Sequence, residues 1–258
     1  MKQFPSQKLR DAQPVNGEQP NAQYVRGKQS ALVRLGKRLR DPINAWFARQ
    51  SLIGDQAIID AELMPVLDEL GANWEIVREE LLPLIVDRGN IPAFGKISPD
   101  HRRIANTNQW KSFFFEGYGF QSEGNRATCP RTTAFLDALP NLVVAFFSIM
   151  EPGTHVPRHR GLTKAWLNCH LPLVVPQPAD QCRMEVANSN VHWREGEWLI
   201  FDETNPHEVW NNTDEIRVVL FLQIRRPMTR LGNIAARAIY EAIRRTSFVR
   251  DTRKAIGA

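Results

Sequence analysis

The sequence has 258 residues, a mass of 29.5 kDa, 43% apolar residues and 24% charged residues, which is typical of a globular chain with one large domain or two small ones. These values exclude collagen-like, low-complexity and disulfide-scaffold proteins. No apolar run reaches the roughly 18 to 20 residues that cross a bilayer, and the first residues lack the apolar core of a secretory signal. The three cysteines follow no CxxC spacing, so we expect no zinc site, no disulfide framework and a cytoplasmic location.

The charge is divided unevenly along the chain. The formal net charge is +5, but residues 1–50 carry +7 and residues 229–258 carry +5, which leaves −7 on the 178 residues between them. A basic protein could bind nucleic acid or an anionic membrane. No RRM, KH, zinc-finger or helix-turn-helix pattern occurs in the sequence, so we expect no nucleic-acid partner. The chemistry of the protein is expected in the acidic central part.

The N-terminal third predicts an arm followed by helices. Residues 1–30 are rich in Gln, Asn, Pro and Gly and predict a flexible arm. Residues 30–47 carry apolar residues at helical spacing with basic residues on the other faces, which predicts a basic amphipathic helix. This helix either packs its apolar stripe on the domain or lies on an anionic membrane surface. Residues 55–86 again have helical spacing, and Asp55 is the predicted N-cap.

Beyond Pro92 the chain changes to short β-type runs separated by Gly, Pro and Asn. Eight such strands predict a sandwich or a jelly-roll barrel, and the last segment returns to helical spacing. The predicted strands are Ser112–Tyr118, Leu142–Met150, Trp166–Val175, Cys182–Ala187, Val191–Arg194, Trp198–Asp202, His207–Trp210 and Arg217–Ile224. The predicted regions are a flexible arm (1–30), a helical N-terminal region that packs on the core (31–90), a jelly-roll domain (91–228), and a C-terminal basic helix and tail (229–258).

Three histidines near predicted strands are candidate metal ligands. His155 and His159 occupy strand-to-turn positions, and His207 begins a later strand. Because a jelly roll brings one early loop and one late strand to the same barrel mouth, an early histidine and His207 are expected to converge. Two neutral imidazoles suit Fe(II), usually with a carboxylate two residues after the first histidine, where this chain has Gly161. The alternative is that each histidine is a packed or solvated side chain.

Arg217 lies ten residues after His207, inside an apolar run. A guanidinium does not lose its proton at neutral pH, so it is costly to bury without an anion. A dicarboxylate co-substrate would supply that anion through a bidentate pair. The alternative is a salt bridge to Asp214, Glu215 or another internal acid.

Several of these residues lie in segments that share their order and spacing with a known family. The segments are Phe147–Met150, Pro152–Val156, His159–Gly161, Cys169–Leu171, Glu195–Asp202 and His207–Trp210, followed by Arg217. Over roughly residues 90 to 228 the chain resembles the aspartyl/asparaginyl β-hydroxylase family of Fe(II)- and 2-oxoglutarate-dependent dioxygenases. The resemblance implies a mainly β protein with flanking N- and C-terminal helices, whose central domain is a double-stranded β-helix, the cupin-like jelly roll.

The resemblance also implies roles for individual residues. His159 and His207 would be the catalytic residues that bind the iron. Ser148 and Arg217 would hold the distal carboxylate of 2-oxoglutarate, and His170 would approach the co-substrate at its metal-chelating end.

Two departures from the family pattern bear on the substrate. Gly161 replaces a carboxylate that similar lipid A hydroxylases keep, although the protein-hydroxylating members lack it as well. Bidentate 2-oxoglutarate and water would then complete the coordination sphere of the iron. Chloride in place of the water would allow halogenation. Family members place an arginine where this chain has Asn168, and the hydroxylase of protein domains places another where it has Trp166. Both losses weaken the case for an aspartyl substrate, because charge-assisted hydrogen bonds contribute about 1.5 to 3 kcal/mol each.

The remaining residues of these segments are candidates for contacts around the iron and 2-oxoglutarate. Asn168 stays a candidate contact to 2-oxoglutarate. His155 and His192 match no ligand position, and we expect both to be solvated or packed behind the site. The candidate substrate contacts are Arg160 and Lys164, as replacement cations, and Trp166, as an apolar or stacking wall.

The function implied by the resemblance is hydroxylation of an unactivated C–H bond with O₂, Fe(II) and 2-oxoglutarate, which yields succinate and CO₂. The expected substrate is an amino-acid residue, a peptide or a small metabolite. Two alternatives stay open. One is a hydroxylase of lipid acyl chains that contacts an anionic membrane peripherally through the basic ends of the chain. The other is a non-catalytic jelly roll that binds a metal or a 2-oxo acid.

Overall fold

The computed structural model describes the backbone of residues 31–97, 104–105 and 108–256, without the side chains of 31–38, 247, 248 and 255. The predicted arm over residues 1–30 lies outside this description. In the described part, two antiparallel sheets face each other and helices cover the larger sheet.

The N-terminal region combines helices with one short strand. The elements are α1 (Ala31–Gln50), β1 (Ile58–Ile59), two turns of 3-10 helix (Ala61–Leu63 and Pro65–Leu67), α2 (Asp68–Ala72) and α3 (Trp74–Val86). The helices predicted over 30–47 and over the later part of 55–86 are therefore confirmed, with ends that differ by a few residues.

The prediction that Asp55 begins a helix is wrong. Residues 58 and 59 pair with the edge of the main sheet, so tertiary pairing overrides the local helical spacing. The carboxylate of Asp55 accepts a hydrogen bond from Nζ of Lys164 at 2.5 Å instead of capping a helix. Asp60 takes the capping role for the first 3-10 turn, because its carboxylate accepts the backbone N–H of Glu62 at 3.2 Å.

Further helices flank the strands: α4 (Phe94–Ile97), α5 (Glu123–Thr128), α6 (Pro130–Ala138), α7 (Arg230–Arg244) and α8 (Ser247–Ala255). The C-terminal helix is confirmed, whereas the sequence predicts neither α5 nor α6. The start of α6 is capped from α3, where the carboxylate of Glu80 accepts the backbone N–H groups of Arg131 at 2.9 Å and Thr132 at 2.7 Å. A cap supplied by another helix leaves no local capping pattern in the sequence.

The strands after β1 are β2 (Trp110–Gly117), β3 (Phe120–Gln121), β4 (Leu142–Met150), β5 (His155–His159), β6 (Trp166–Val174), β7 (Cys182–Val186), β8 (Ser189–His192), β9 (Leu199–Phe201), β10 (His207–Asn211) and β11 (Arg217–Arg225). They form a seven-stranded sheet in the order β1-β9-β6-β11-β4-β2-β3 and a four-stranded sheet in the order β5-β10-β7-β8. Every pairing is antiparallel, and from β4 to β11 the chain passes repeatedly between the sheets. This is the predicted double-stranded β-helix.

The two faces of the seven-stranded sheet carry different residues. Phe147, Leu171 and Leu220 point outward and share a buried cluster with Leu81 and Ile85 of α3. Alternate residues of the same strands point into the space between the sheets. Because both faces are covered, β4 and β6 are buried over nearly their whole length, which explains their almost continuous apolar runs. The polar residues on the inward face are therefore exceptions that need a partner.

Candidate active site

The jelly-roll topology brings two histidines together at one end of the barrel. His159 ends β5 and His207 begins β10, and the two residues pair directly in the four-stranded sheet. Their ring centroids lie 4.1 Å apart at an interplanar angle of 58°. Nδ1 of His159 lies 2.8 Å from the carbonyl oxygen of Pro157, and Nδ1 of His207 lies 2.9 Å from that of Asn205. The carbonyls fix the Nδ1–H tautomer of both rings, which leaves the lone pair of Nε2 in each ring available to a metal ion.

The protonation state of His207 also favours metal binding. Burial and the neighbouring His159 lower the pKa of His207 to about 4. The imidazole of His207 is therefore neutral at pH 7, which is the form that binds a metal ion.

The space next to Gly161, where a carboxylate ligand would be expected, is filled by a side chain from another loop. Within the described residues, no group of three His, Cys, Asp or Glu side chains is arranged to hold a metal ion. A Cβ atom placed on Gly161 would lie 2.3 Å from Cδ and 2.5 Å from Oε1 of Glu203. The backbone N–H of Gly161 donates to the carbonyl oxygen of Glu203 at 2.6 Å. The glycine therefore makes room for the carboxylate of Glu203, in the space that a side chain at position 161 would fill.

Glu203 is held by neutral groups. Its Oε2 accepts hydrogen bonds from Nδ2 of Asn168 and Nε2 of Gln223, both at 3.1 Å, and Gln223 also donates to Oδ1 of Asn168 at 3.0 Å. No cation of the described residues forms an ion pair with this carboxylate. Burial, followed by the nearby carboxylate of Asp202, raises the pKa of Glu203 to about 7.

Arg217 lies in the barrel without a carboxylate partner. It begins β11, points inward opposite Met150 and is 2% exposed. Its Nη2 contacts the sulfur of Met150, its Nη1 lies 3.5 Å from the carbonyl oxygen of Ser148, and its Nε has no hydrogen-bond partner. Among the described acids none forms an ion pair with Arg217, so the alternative of a salt bridge to Asp214 or Glu215 does not hold there. Burial lowers the pKa of Arg217 to about 10, which still leaves it charged at pH 7.

Two tryptophans support the residues expected to hold 2-oxoglutarate. Nε1 of Trp193 donates to Nδ1 of His170 at 3.2 Å, and the guanidinium of Arg217 lies over the Trp193 ring, 4.6 Å from its centroid. Nε1 of Trp110 donates to Oγ of Ser148 at 3.0 Å, and Ser148 is 2% exposed. Burial, Arg217 and His207 together hold the pKa of His170 well below its usual range. The structure thus brings Ser148, His170 and Arg217 to the same inward face of the main sheet.

The candidate substrate contacts fall into two groups. Trp166 is 1% exposed and its ring packs edge-on against Tyr118, with centroids 6.2 Å apart. Arg160 lies at the rim with a 43% exposed side chain, and its Nε donates to the carbonyl oxygen of Thr204 at 2.7 Å. Lys164 is 13% exposed and forms an ion pair with the buried Asp202 at 2.7 Å. The charge of Lys164 is therefore balanced inside the fold, whereas Arg160 lies at the surface, where its Nη2 is 3.8 Å from Oδ1 of Asp41.

The two histidines expected to lie outside the site do so. His155 is 48% exposed, its Nε2 lies 2.7 Å from Oε1 of Glu208, and its ring stacks on Trp210. His192 is exposed at the end of β8.

Sequence reasoning missed Glu203, Gln223, Trp193 and Trp110. Gln223 could have been found, because it lies six residues after Arg217, a multiple of the two-residue strand repeat, and so shares the inward face of β11. Glu203 and the two tryptophans lack such a pattern, because they reach the site from loops or from the end of a neighbouring strand.

The residues present fit an iron ion with a dicarboxylate 2-oxo acid. The two imidazoles present neutral nitrogen donors, which suit Fe(II). The buried guanidinium has an Nε without a partner, which suits a carboxylate. The fold and these donors together define a class of protein: a jelly roll with a pair of histidines suited to a metal ion.

Comparison with known proteins gives the family. The family model described as aspartyl/asparaginyl beta-hydroxylase matches residues 71–227. The chain belongs to this family, as its sequence motifs predict.

Individual relatives differ in what they are named for. The chain is 37% identical over 199 residues to the ornithine lipid ester-linked acyl 2-hydroxylase of Rhizobium tropici, covering 77% of this chain and 71% of that protein. It is 30% identical over 167 residues to the human aspartyl/asparaginyl beta-hydroxylase, covering 63% of this chain but only 21% of the human protein. Among solved structures, a prolyl-4-hydroxylase from Pseudomonas putida is similar at 18% identity with a TM-score of 0.40, covering 64% of this chain and 98% of that one. None of the described helices is both long and apolar enough to cross a membrane.

Proposed function

We propose that the protein is an Fe(II)- and 2-oxoglutarate-dependent hydroxylase. The observation that carries this proposal is the buried Arg217 without a carboxylate partner, on the same barrel interior as the paired rings of His159 and His207. The buried guanidinium needs an anion as its partner, and the two imidazoles need a metal cation if they are to act as ligands. Membership of a family of hydroxylases supports the same conclusion.

The residues of the chain would divide the work as follows. His159 and His207 would hold the iron through Nε2, while Arg217 and Ser148 would hold the distal carboxylate of 2-oxoglutarate, with His170 near its other end. When bound, iron and 2-oxoglutarate supply the O₂-derived oxidant for the C–H bond and yield succinate and CO₂.

Aromatic side chains would keep water away from the reacting groups. The ring of Phe201 lies 5.3 Å from that of His207 and 5.2 Å from that of His170, and Phe221 lies 5.2 Å from His170 on the other side. A dry, fixed surrounding strengthens the electrostatic contacts of a bound anion and limits side reactions.

Succinate release from 2-oxoglutarate with Fe(II) and ascorbate tests the activity. We expect turnover in the wild type, its loss in His159→Ala, and its retention in the matched control His155→Ala, whose ring is 48% exposed. Binding of 2-oxoglutarate without succinate under any metal condition would favour the non-catalytic alternative. Absence of both binding and turnover would refute the proposal.

A lipid acyl chain is the second candidate substrate. Exposed apolar side chains lie next to the site: Leu162, on the loop after His159, is 57% exposed, while Leu39 and Ile43 of α1 are 45% and 41% exposed. Asn44 joins α1 to this loop, because its Nδ2 donates to the carbonyl oxygen of Leu162 at 3.2 Å. These residues, with the rim cation of Arg160, fit an anionic membrane surface. The relative named as an ornithine lipid acyl hydroxylase supports this class of substrate.

This reading also contains our proposals for partners and location. The protein would act on the cytoplasmic side, in peripheral contact with the membrane, and would not bind nucleic acid. The three cysteines, which are free and buried, are consistent with a reducing compartment.

Co-sedimentation with anionic vesicles tests the lipid reading. The double variant Ile43→Asp/Leu162→Asp should lose vesicle binding, because two charges would enter the apolar contact. Val86→Asp is the matched control, since Val86 is 70% exposed at the end of α3. Equal binding by all three proteins, or none by the wild type, would favour a soluble amino-acid, peptide or metabolite substrate.

A further inference from the structure

Trp193 contacts both residues that flank the expected 2-oxo acid. It follows β8 and is 1% exposed within the barrel. Its Nε1 donates to Nδ1 of His170 at 3.2 Å. Its ring lies under the guanidinium of Arg217, with the carbon Cζ 4.6 Å from the ring centroid. One side chain therefore sets the position of a neutral imidazole and of a buried cation.

The hydrogen bond from Trp193 decides where the His170 proton resides. An indole N–H can only donate, so Nδ1 of His170 must accept, and the proton of the neutral ring is on Nε2. His159 and His207 have the opposite tautomer, because their Nδ1 atoms donate to the carbonyls of Pro157 and Asn205. His159 and His207 thus present lone pairs at Nε2, whereas His170 presents an N–H at that atom. That N–H suits an anionic ligand and not a metal ion.

The ring of Trp193 has a separate effect on Arg217. The guanidinium has only weak partners, namely a sulfur atom and a carbonyl oxygen at 3.5 Å, and its Nε has none. A tryptophan face attracts a desolvated guanidinium and restricts its motion. The donors of Arg217 are then already oriented before a carboxylate arrives, which reduces the entropy that binding costs.

We propose that Trp193 is the positioning residue for the 2-oxo acid: its N–H holds His170 as the Nε2–H donor and its ring holds Arg217 in place. The proposal rests on the proposed function, because it assumes a 2-oxo acid between these two side chains. It adds a residue that has no role in the sequence motifs considered above.

A tautomer measurement tests the first half of the proposal without metal or co-substrate. Long-range ¹H–¹⁵N correlation on histidine-labelled protein should show His170 as Nε2–H in the wild type and as a mixture of tautomers in Trp193→Phe, which keeps an aromatic ring but lacks the N–H. A wild-type His170 with its proton on Nδ1, or an unchanged spectrum in Trp193→Phe, would overturn it. The wild-type measurement decides the point even where a variant fails to fold.

Binding of 2-oxoglutarate with Mn(II), which permits no turnover, tests the second half. We expect the Kd to rise about threefold to tenfold in Trp193→Phe, which loses one hydrogen bond, and about thirtyfold in Trp193→Leu, which loses the stacking as well. Trp210→Phe is the matched control, because Trp210 stacks with Arg183 at 4.1 Å on the outer face of the smaller sheet, and its Kd should not change. Equal affinities in wild type and both Trp193 variants would overturn the role. Absence of binding in the wild type, with the tautomer as expected, would refute the proposed function instead.

Discussion

The two halves of the barrel interior each hold one buried ionisable group without an ion-pair partner: a charged guanidinium in one half, and in the other an acid whose pKa is raised to about 7. One half holds the guanidinium of Arg217 with His170, and no described carboxylate pairs with it. The other half holds the carboxylate of Glu203 between the amides of Asn168 and Gln223, and no described cation pairs with it. A buried guanidinium without an anion is costly, which agrees with the proposal that Arg217 holds a carboxylate ligand. The first half fits an anion, and the second is unsuited to one.

This contrast bears directly on the substrate. The resemblance implies an arginine at the position of Asn168 and, in the hydroxylase of protein domains, a second one at the position of Trp166. Here both side chains are neutral and lie next to the carboxylate of Glu203. A carboxylate substrate would meet repulsion in this half of the barrel whenever Glu203 is ionised, and would find no cation there to bind it. The arrangement therefore favours a neutral or cationic group, in agreement with the proposal of a lipid acyl chain over an aspartyl side chain.

The strongest test of the contrast replaces the unpaired cation. Arg217→Met should weaken 2-oxoglutarate binding about 100-fold or more, since a charge-assisted bidentate pair is lost. It should leave the free energy of unfolding unchanged or higher, because an uncompensated buried charge disappears. Isothermal titration with Mn(II) present and urea unfolding measure the two effects.

Arg226 provides the matched control for that experiment. It is 1% exposed, but its Nη2 pairs with Asp202 at 2.5 Å. Arg226→Met should therefore destabilise the fold by about 3 to 5 kcal/mol, because it leaves a buried carboxylate with one cation fewer. If Arg217→Met destabilised the protein as much as Arg226→Met, Arg217 would be a structural residue and not a ligand-binding one.

The next largest effect is expected at the contact between Gly161 and Glu203. Gly161→Asp should destabilise the protein by about 2 kcal/mol, because the new Cβ would overlap the carboxylate of Glu203, 2.3 Å away. Glu203→Ala removes the obstacle, so the double variant should regain most of that loss. Urea unfolding of the four proteins gives the coupling energy, and additive effects would show that the two positions do not compete for the same space.

The sequence predicts the fold better than it predicts the site. All eight expected strands are present with ends shifted by at most two residues, because β4, β6 and β11 are marked by dense apolar runs. The histidine pair follows from the motif and from the way a jelly roll joins β5 to β10. The helix predicted from residue 55 is wrong because residues 58 and 59 pair with a strand, and this pairing, not the local spacing, decides their conformation.

The balance of charge within the site could not be predicted in the same way. Gly161 indicates a missing carboxylate, but only the structure shows that Glu203, 42 positions later, fills the space. The position of Lys164, five residues after His159, does not tell whether its side chain faces the substrate. In the structure it pairs with the buried Asp202 instead. Such pairings join loops that are distant in sequence, and no periodicity records them.

The unusual protonation of Glu203 predicts a pH-dependent stability. Burial raises its pKa from 4.5 to about 7, so the folded state binds an additional proton between these values. Its contribution to stability is present below about pH 4.5 and is lost as the pH rises through 7. Glu203→Gln should therefore match the wild type near pH 5 and exceed its free energy of unfolding by about 2 kcal/mol near pH 8. Glu197→Gln, at a 66% exposed carboxylate, should give no such trend, and a flat difference in both variants would refute the raised pKa.

The smallest effect is expected on the cationic half, at Ser148. Its Oγ accepts the indole N–H of Trp110 at 3.0 Å, so its own O–H remains available to donate to a carboxylate next to Arg217. Ser148→Ala should raise the Kd of 2-oxoglutarate about fivefold and cost about 1 kcal/mol of stability, because the buried indole N–H loses its acceptor. In the Trp110→Phe background the stability loss should vanish while the loss of affinity remains. A double variant that bound 2-oxoglutarate as well as Trp110→Phe alone would mean that Ser148 serves only to satisfy Trp110.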